Sequence, residues 1–205
     1  IAPIKYANID NMKDLSDAQL EVEEVAQLFI DHNKTAHTAF HCNASLAAFK
    51  EKAKHYRYLL LSTHACYENE TAEQTHIVFS PLDEANKTHT KQADYCLFVN
   101  DAYNLSLQAD LLVLSACESG LGELVSGEGM MNLNRGFLYA GTNSLIYTLE
   151  KVPARHTRLL IAELFKQILA NKTYRHALQT AQSLLAQTGQ PPANWAFFNL
   201  ICQLK

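Results

Sequence analysis

The feature that most constrains this chain is the shape of its apolar runs. Ala109–Ala116 reads ADLLVLSA and Tyr56–Ser62 reads YRYLLLS, each short, nearly unbroken and closed by polar residues. A strand with one face in water alternates apolar and polar residues, whereas a strand covered on both faces does not. Runs of the same kind occur at Thr75–Ser80, Tyr95–Val99, Thr142–Leu149 and Asn194–Cys202, and a further short strand is predicted over Ala36–Phe40. Helical patterns lie among them. Asp17–Phe29 carries Leu20, Val25, Leu28 and Phe29 near helical spacing, with Glu21, Glu23 and Glu24 in its opening turns, where the helix dipole favours negative charge. Ser45 is placed to cap a helix running to about Lys54, burying Leu46 and Phe49. Further helices are predicted from Glu128 to Tyr139, ended by Gly141, and over Ala154–Ala170 and Tyr174–Gln187. The polar stretches Cys66–Thr75, Asp83–Asp94 and Glu118–Gly127 read as surface loops. Strands and helices in this order predict an α/β fold with three layers, α/β/α, and a mostly parallel central sheet. No repeat or linker divides residues 1–205, so one domain is expected.

Composition removes several classes. A length of 205 residues buries a full core without staples, and 48% hydrophobic residues with 7 Gly and 5 Pro exclude a disordered or collagenous chain. A net charge of -4 argues against a general nucleic-acid binder. No apolar run approaches the ~18 residues of a membrane span, and Ile1-Ala2-Pro3-Ile4-Lys5 has no secretory pattern. Without an initiator Met, the chain is expected to be a fragment or subunit of something larger. Five cysteines with no C-x-x-C pair suit a reducing cytoplasm.

In a sheet of this kind the ligand site lies beyond the carboxyl ends of the strands. His64 and Cys117 each follow an apolar run, in the contexts LLLSTHA and LLVLSACESG. A thiol and an imidazole at neighbouring strand ends make a nucleophile and its acid/base partner. The other reading is a Cys that serves as a small core hydrophobe and a His that is merely hydrogen-bonded. Other residues point to less. Gly127-Glu128-Gly129 lacks the lysine and spacing of a phosphate loop, so Glu128 reads as a first-turn helical carboxylate with Ser126 as a cap. His41-Cys42 and His64-Ala65-Cys66 do not have zinc-site spacing, and nothing marks His76 or His89 as catalytic. Lys151, Arg155, Arg158, Lys166, Lys172 and Arg175 stand against Glu163 alone between 151 and 176, either a solvated face or a dock for an acidic or repeat-type partner. Trp195, Phe197 and Phe198 are expected to fill the core at a sheet edge.

LLLSTHA (Leu59–Ala65), Tyr103-Asn104-Leu105, the block Ala109–Leu149, NWAFFNLI (Asn194–Ile201) and the helix LSDAQLEVEEVAQLF (Leu15–Phe29) together resemble the CHAT domain. This is a caspase-like cysteine peptidase family, often joined to TPR repeats and distantly related to separases and gingipains. His64 and Cys117 are 53 positions apart, close to the ~50-residue upstream His of caspases. The resemblance implies a caspase-like fold and a cysteine endopeptidase acting on a protein substrate. Cys117 would be the nucleophile and His64 the acid/base, with the oxyanion held by the backbone N–H groups of Ala65 and Cys117. No metal, cofactor, nucleic acid or membrane is implied. Thr148, Leu149, Glu150 and Lys151 would border the substrate, with the peptide lying extended beside Thr148–Val152. The family further implies gating by a regulatory or TPR-type partner, a cytoplasmic location, and bacterial signalling, defence or regulated cell death. Two segments depart from the family. Ala65 stands where relatives have glycine, which predicts strain if the loop needs a positive φ. After Leu149, Glu150 replaces a usual Trp and Ala154 falls where acids are common; either Glu150 and Lys151 are both solvated loop charges, or Glu150 would receive a basic side chain that Lys151 would repel. The rival reading is a catalytically weak binding or scaffold module.

Overall fold

The computed structural model describes residues 1–4, 6, 12–66, 74–81, 91–118 and 128–203, with positions 117, 118 and 128–132 as backbone only. The unbroken apolar run of the sequence becomes the inside of a sheet. Strands β1 (Tyr58–Cys66), β2 (His76–Val78), β3 (Cys96–Phe98), β4 (Leu111–Glu118), β5 (Ser144–Thr148) and β6 (Phe198–Cys202) lie in the order β3-β2-β1-β4-β5-β6. β1, β4 and β5 are parallel, and β2, β3 and β6 each run antiparallel to the neighbour inboard of them. Four of the six strands therefore point the same way, as a mostly parallel sheet requires.

Each face has its own core, which explains why β4 does not alternate. Leu112 and Leu114 join Leu59 and Leu61 of β1 against Leu46 and Phe49 of α2 (Leu46–Lys52) and Leu133 and Phe137 of α5 (Glu128–Tyr139). Leu111 and Val113 face the other way. They meet Val25 and Phe29 of α1 (Ser16–Asp31), Leu160, Ile161 and Leu164 of α6 (Ala154–Leu169) and Ala177 and Leu178 of α7 (Tyr174–Gln187). The result is the three-layer α/β/α arrangement that the strand–helix alternation predicts. Two short helices without a periodic signature, α3 (Gln92–Tyr95) and α4 (Val99–Tyr103), flank β3. No helix among the described residues is long and apolar enough to cross a membrane.

Ser45 caps α2 as expected, its side chain accepting the Ala48 N–H at 3.2 Å. Ser45→Ala is expected to lose about 1 kcal/mol of stability, read as a lower urea midpoint with an unchanged slope. Other expectations shift. Ala36–Phe40 forms no strand but a single bridge from Phe40 to Ala2, because the chain turns into a 3₁₀ helix at His41–Asn43 with His41 at φ 50°. The helix after Ser45 stops at Lys52 and tightens into a 3₁₀ turn over Ala53–His55. The last strand begins at Phe198, after a 3₁₀ turn at Pro192–Asn194, and Trp195 and Phe197 pack half-buried beside it. β1 and β4 outrun their apolar segments, since their pairing with each other continues through polar residues to Ala65↔Glu118. His64 and Cys117 consequently lie within strands, not in the loops after them.

Candidate active site

The site is assembled by strand register. β1 pairs with β4 from Tyr58↔Leu111 through Ser62↔Ser115 and Thr63↔Ala116 to His64↔Cys117 and Ala65↔Glu118. The 53-position spacing is thus the offset of the whole ladder, repeated at every pair. Neighbouring strands run about 4.8 Å apart, so the backbones at 64 and 117 are immediate neighbours. Strand alternation puts position 117 in the same set as Leu111, Val113 and Ser115, opposite Tyr58, Leu60, Ser62 and His64. The Cys117 side chain, residues 119–127, which include Ser126 and Gly127, and His89 lie outside the described residues.

His64 is buried and held from two sides. Its Nε2–H donates to the carbonyl of Lys13 at 2.8 Å, and the Tyr6 ring packs edge-on with it at a centroid distance of 4.5 Å and an interplanar angle of 64°. A carbonyl can only accept, so the proton of the neutral ring sits on Nε2 and Nδ1 carries the lone pair. Tyr6 is fixed in turn. Its hydroxyl donates to Thr63 Oγ1 at 2.8 Å, and that hydroxyl donates to the Val78 carbonyl. Burial pushes the Tyr6 phenol well above its ordinary range, so it stays protonated as a spacer against the imidazole. Burial likewise lowers the pKa of His64 below 6.5; the Lys13 carbonyl works against that shift and the Lys151 ammonium with it. At neutral pH His64 is therefore a neutral base with Nδ1 available.

Sequence reasoning missed Lys13 and Tyr6. Lys13 acts through its carbonyl, which any residue supplies, and Tyr6 is a single aromatic in an aperiodic stretch. Hence neither left a signal in residue type or spacing.

Ala65 is buried inside β1, opposite Ile77 on one side and Glu118 on the other. Among described residues other than glycine, positive φ occurs at Asn33, His41 and Asn171, not at Ala65. The strain expected from the missing glycine is absent, because a strand residue paired on both sides has an extended backbone that alanine adopts freely. Thr148 ends β5 and its Oγ1–H donates to the Ala116 carbonyl at 3.3 Å, tying that end of β5 to the residue before Cys117. Leu149 is 50% exposed, but its N–H donates to the Phe197 carbonyl at 3.0 Å. β6 thus covers the outer edge at Thr148 and Leu149. The β4–β5 ladder ends at Leu114↔Tyr147, which leaves the side of 148–152 that faces Cys117 beyond the strand pairing. Lys151, not Glu150, is the charge that bears on His64.

Some of the remaining candidates have structural partners. His76 is buried, with Nδ1–H donating to the Gln74 carbonyl at 2.7 Å and its ring against Phe98. His41 and Cys42 lie in the 3₁₀ turn after Phe40, and Glu128 opens α5. In the basic tail Arg158 pairs with Glu24 and Lys166 with Glu163, each at 3.7 Å.

Over 105 residues the chain is 30% identical to Tetratricopeptide repeat protein 28 of Mus musculus and 29% identical to that of Homo sapiens. The stretch is 49% of this chain and 4% of either relative, so the chain spans a small part of the curated relatives it matches. The family model described as CHAT domain matches residues 7–203, from the segment that holds His64 to the far edge of β6. On a match of that extent, the chain belongs to the CHAT domain family.

Proposed function

We propose that this chain is a cysteine endopeptidase that hydrolyses a peptide bond in a protein substrate through a His64–Cys117 dyad. The observation that carries the reading is the His64↔Cys117 register, with His64 locked by the Lys13 carbonyl in the tautomer that leaves Nδ1 basic. Sulfur of Cys117 adds to the scissile carbonyl carbon while its proton passes to His64 Nδ1. The backbone N–H of Cys117 holds the oxyanion, whereas Ala65 is paired with Ile77 and Glu118 on either side. As the C–N bond breaks, the amine takes the proton from His64 and leaves an acyl-enzyme. Water then attacks that thioester, giving its proton to His64, and the thiol is restored. The peptide runs along the Cys117-facing side of Thr148, Leu149, Glu150 and Lys151, where Lys151 makes the rim positive. The chain acts as one domain whose basic α6–α7 face receives a regulatory partner. A TPR-type repeat is the partner class supported by the names of the relatives.

A scaffold reading is favoured by one fact: the curated relatives are named for their repeats, not for peptidase activity. Digestion of a P1-diverse peptide library, read by mass spectrometry, separates the two. The peptidase reading expects cuts that vanish in both Cys117→Ala and His64→Ala. Identical digests from all three proteins would remove constitutive proteolysis and favour the scaffold.

A further inference from the structure

Glu21 is a carboxylic acid in the wrong place for a solvated helix. Sequence periodicity puts it in an opening turn of α1, where the dipole welcomes negative charge, yet the residue is only 3% exposed. It shares the inward stripe of α1 with Ala18, Val22 and Val25. Its carboxyl is reached by the hydroxyls of Ser62 and Ser115, and its Oε1 has no hydrogen-bond partner. Ser62 and Ser115 are themselves register partners, two residues before His64 and Cys117 on the same strands. The acid thus sits directly beneath the dyad, bridging the two strands that carry it.

The same helix is the mount for the group that orients His64. Lys13 lies three residues before the start of α1 at Ser16, and that lead-in is tied down by Leu15 N–H to the Ile4 carbonyl at 3.0 Å. Tyr6 N–H to Asp14 Oδ1, at 3.2 Å, adds a second tie. A rigid helix pinned to β1 and β4 at Glu21 fixes where the Lys13 carbonyl falls. Accordingly, we propose that Glu21 is a positioning residue for the dyad: its bridge to Ser62 and Ser115 docks α1 on β1 and β4 and so holds the Lys13 carbonyl against His64. The inference rests on the proposed dyad and adds a residue to it.

The bridge depends on pH. Burial raises the Glu21 carboxyl from its ordinary 4.5 to about 7. The Ser62 and Ser115 hydroxyls and the Arg158 guanidinium of α6 pull the other way, and Glu24 of α1 is paired to that guanidinium. Among the described residues, β1 and β4 bring it the hydroxyls of Ser62 and Ser115. Between pH 4.5 and about 7 the folded chain holds a proton that the unfolded chain has released, so stability falls as pH rises through that window. The fall amounts to up to about 300-fold in the folding equilibrium constant. An unpartnered oxygen is tolerated in a dry site on a neutral acid and is costly on a carboxylate, which loosens the docking of α1 above pH 7.

The test follows the His64 ring by long-range ¹H–¹⁵N NMR, with urea unfolding, from pH 5.5 to 8.5 in the full chain, Glu21→Gln and Glu21→Ala. Glutamine keeps the shape and cannot ionise. It is expected to abolish the loss of stability towards pH 7 and to keep the Nε2–H tautomer at pH 8, where the parent chain loses part of it. Glu21→Ala is expected to lose that tautomer at every pH. If Glu21→Ala leaves the His64 tautomer unchanged, or if parent and Glu21→Gln give the same His64 spectra at pH 8, the proposal is overturned and Glu21 only fills the core. Should the alanine variant not fold, the glutamine comparison decides alone. Neither readout involves peptide cleavage, so failure of the peptidase reading would appear in the library digest and not here.

Discussion

Gly141→Ala is expected to unfold the protein or to remove most of its stability, and Gly141→Val to do the same. Gly141 ends the turn after α5 with φ at +111°, and a Cβ built there would lie 2.1 Å from the Leu107 carbonyl oxygen and 3.1 Å from its carbon. Those are backbone atoms, so no rotamer change relieves the clash. The segment cannot retreat easily either. Leu107 N–H donates to the Ala140 carbonyl at 2.7 Å, and Asn143 N–H to the Ala109 carbonyl at 2.9 Å, just before β4 and β5 begin. Relief would mean breaking these bonds and moving the entrance to both central strands. The expected loss is on the order of 4–5 kcal/mol or more, against a typical total of about 5–15 kcal/mol. Alanine and valine should be alike, since the first carbon does the damage. Gly189 supplies the control: its φ is +75° but nothing lies within 4 Å of its Cβ position. Gly189→Ala is expected to lose only about 1–2 kcal/mol, the strain of the backbone alone. Thermal unfolding by far-UV circular dichroism separates them, and a Gly141→Ala protein within about 1 kcal/mol of the parent would refute the argument.

The second large effect is on chemistry. His64→Ala is expected to slow alkylation of Cys117 by iodoacetamide at pH 7 by about 10²–10⁴-fold, the usual worth of a positioned base. In the parent chain the rate should fall with acid only below pH 6.5, because the folded pKa of His64 lies under that value. Lys13→Ala keeps the carbonyl that orients His64, so it is expected to stay within a few fold of the parent, whereas a role for the Lys13 ammonium would show as a large loss. The readout must resolve individual peptides. Cys202 is exposed and will react regardless, while burial pushes the Cys96 thiol up to about 12 and keeps it silent. Cys117 alkylating equally fast with and without His64 would mean that the thiol is not sensitised, and the scaffold reading would stand.

Much of the architecture was legible before any coordinates. The unbroken LLVL of β4 announced a strand with a core on each side, and α5, α6 and α7 fell within one residue of their periodic signatures. Short elements were not legible. Four residues at Gln92–Tyr95 and five at Val99–Tyr103 are too few to show a helical period, and Ala36–Phe40 had strand-like composition with no neighbour to pair along its length. Strand ends were misplaced for a related reason. The polar STHAC at the end of β1 stays in the sheet because β2 and β4 satisfy its backbone from both sides, whatever its side chains prefer. Ala65 shows the same effect, since the glycine argument presumed a loop where the pairing imposes a strand.

By itself the sequence determined the layering and pointed to the two residues of the proposed dyad, because buried strands, amphipathic helices and a motif as specific as LLLSTHA with LSACESG are written in residue type and local order. Only the tertiary structure decided how that dyad is held. The Lys13 carbonyl, the Tyr6 ring and the Glu21 bridge act through backbone atoms or burial, across 51, 58 and 41 or more positions of chain. Such contacts have no local signature: a carbonyl is common to every residue, and whether a glutamate meets water or two serines depends on what packs against its helix.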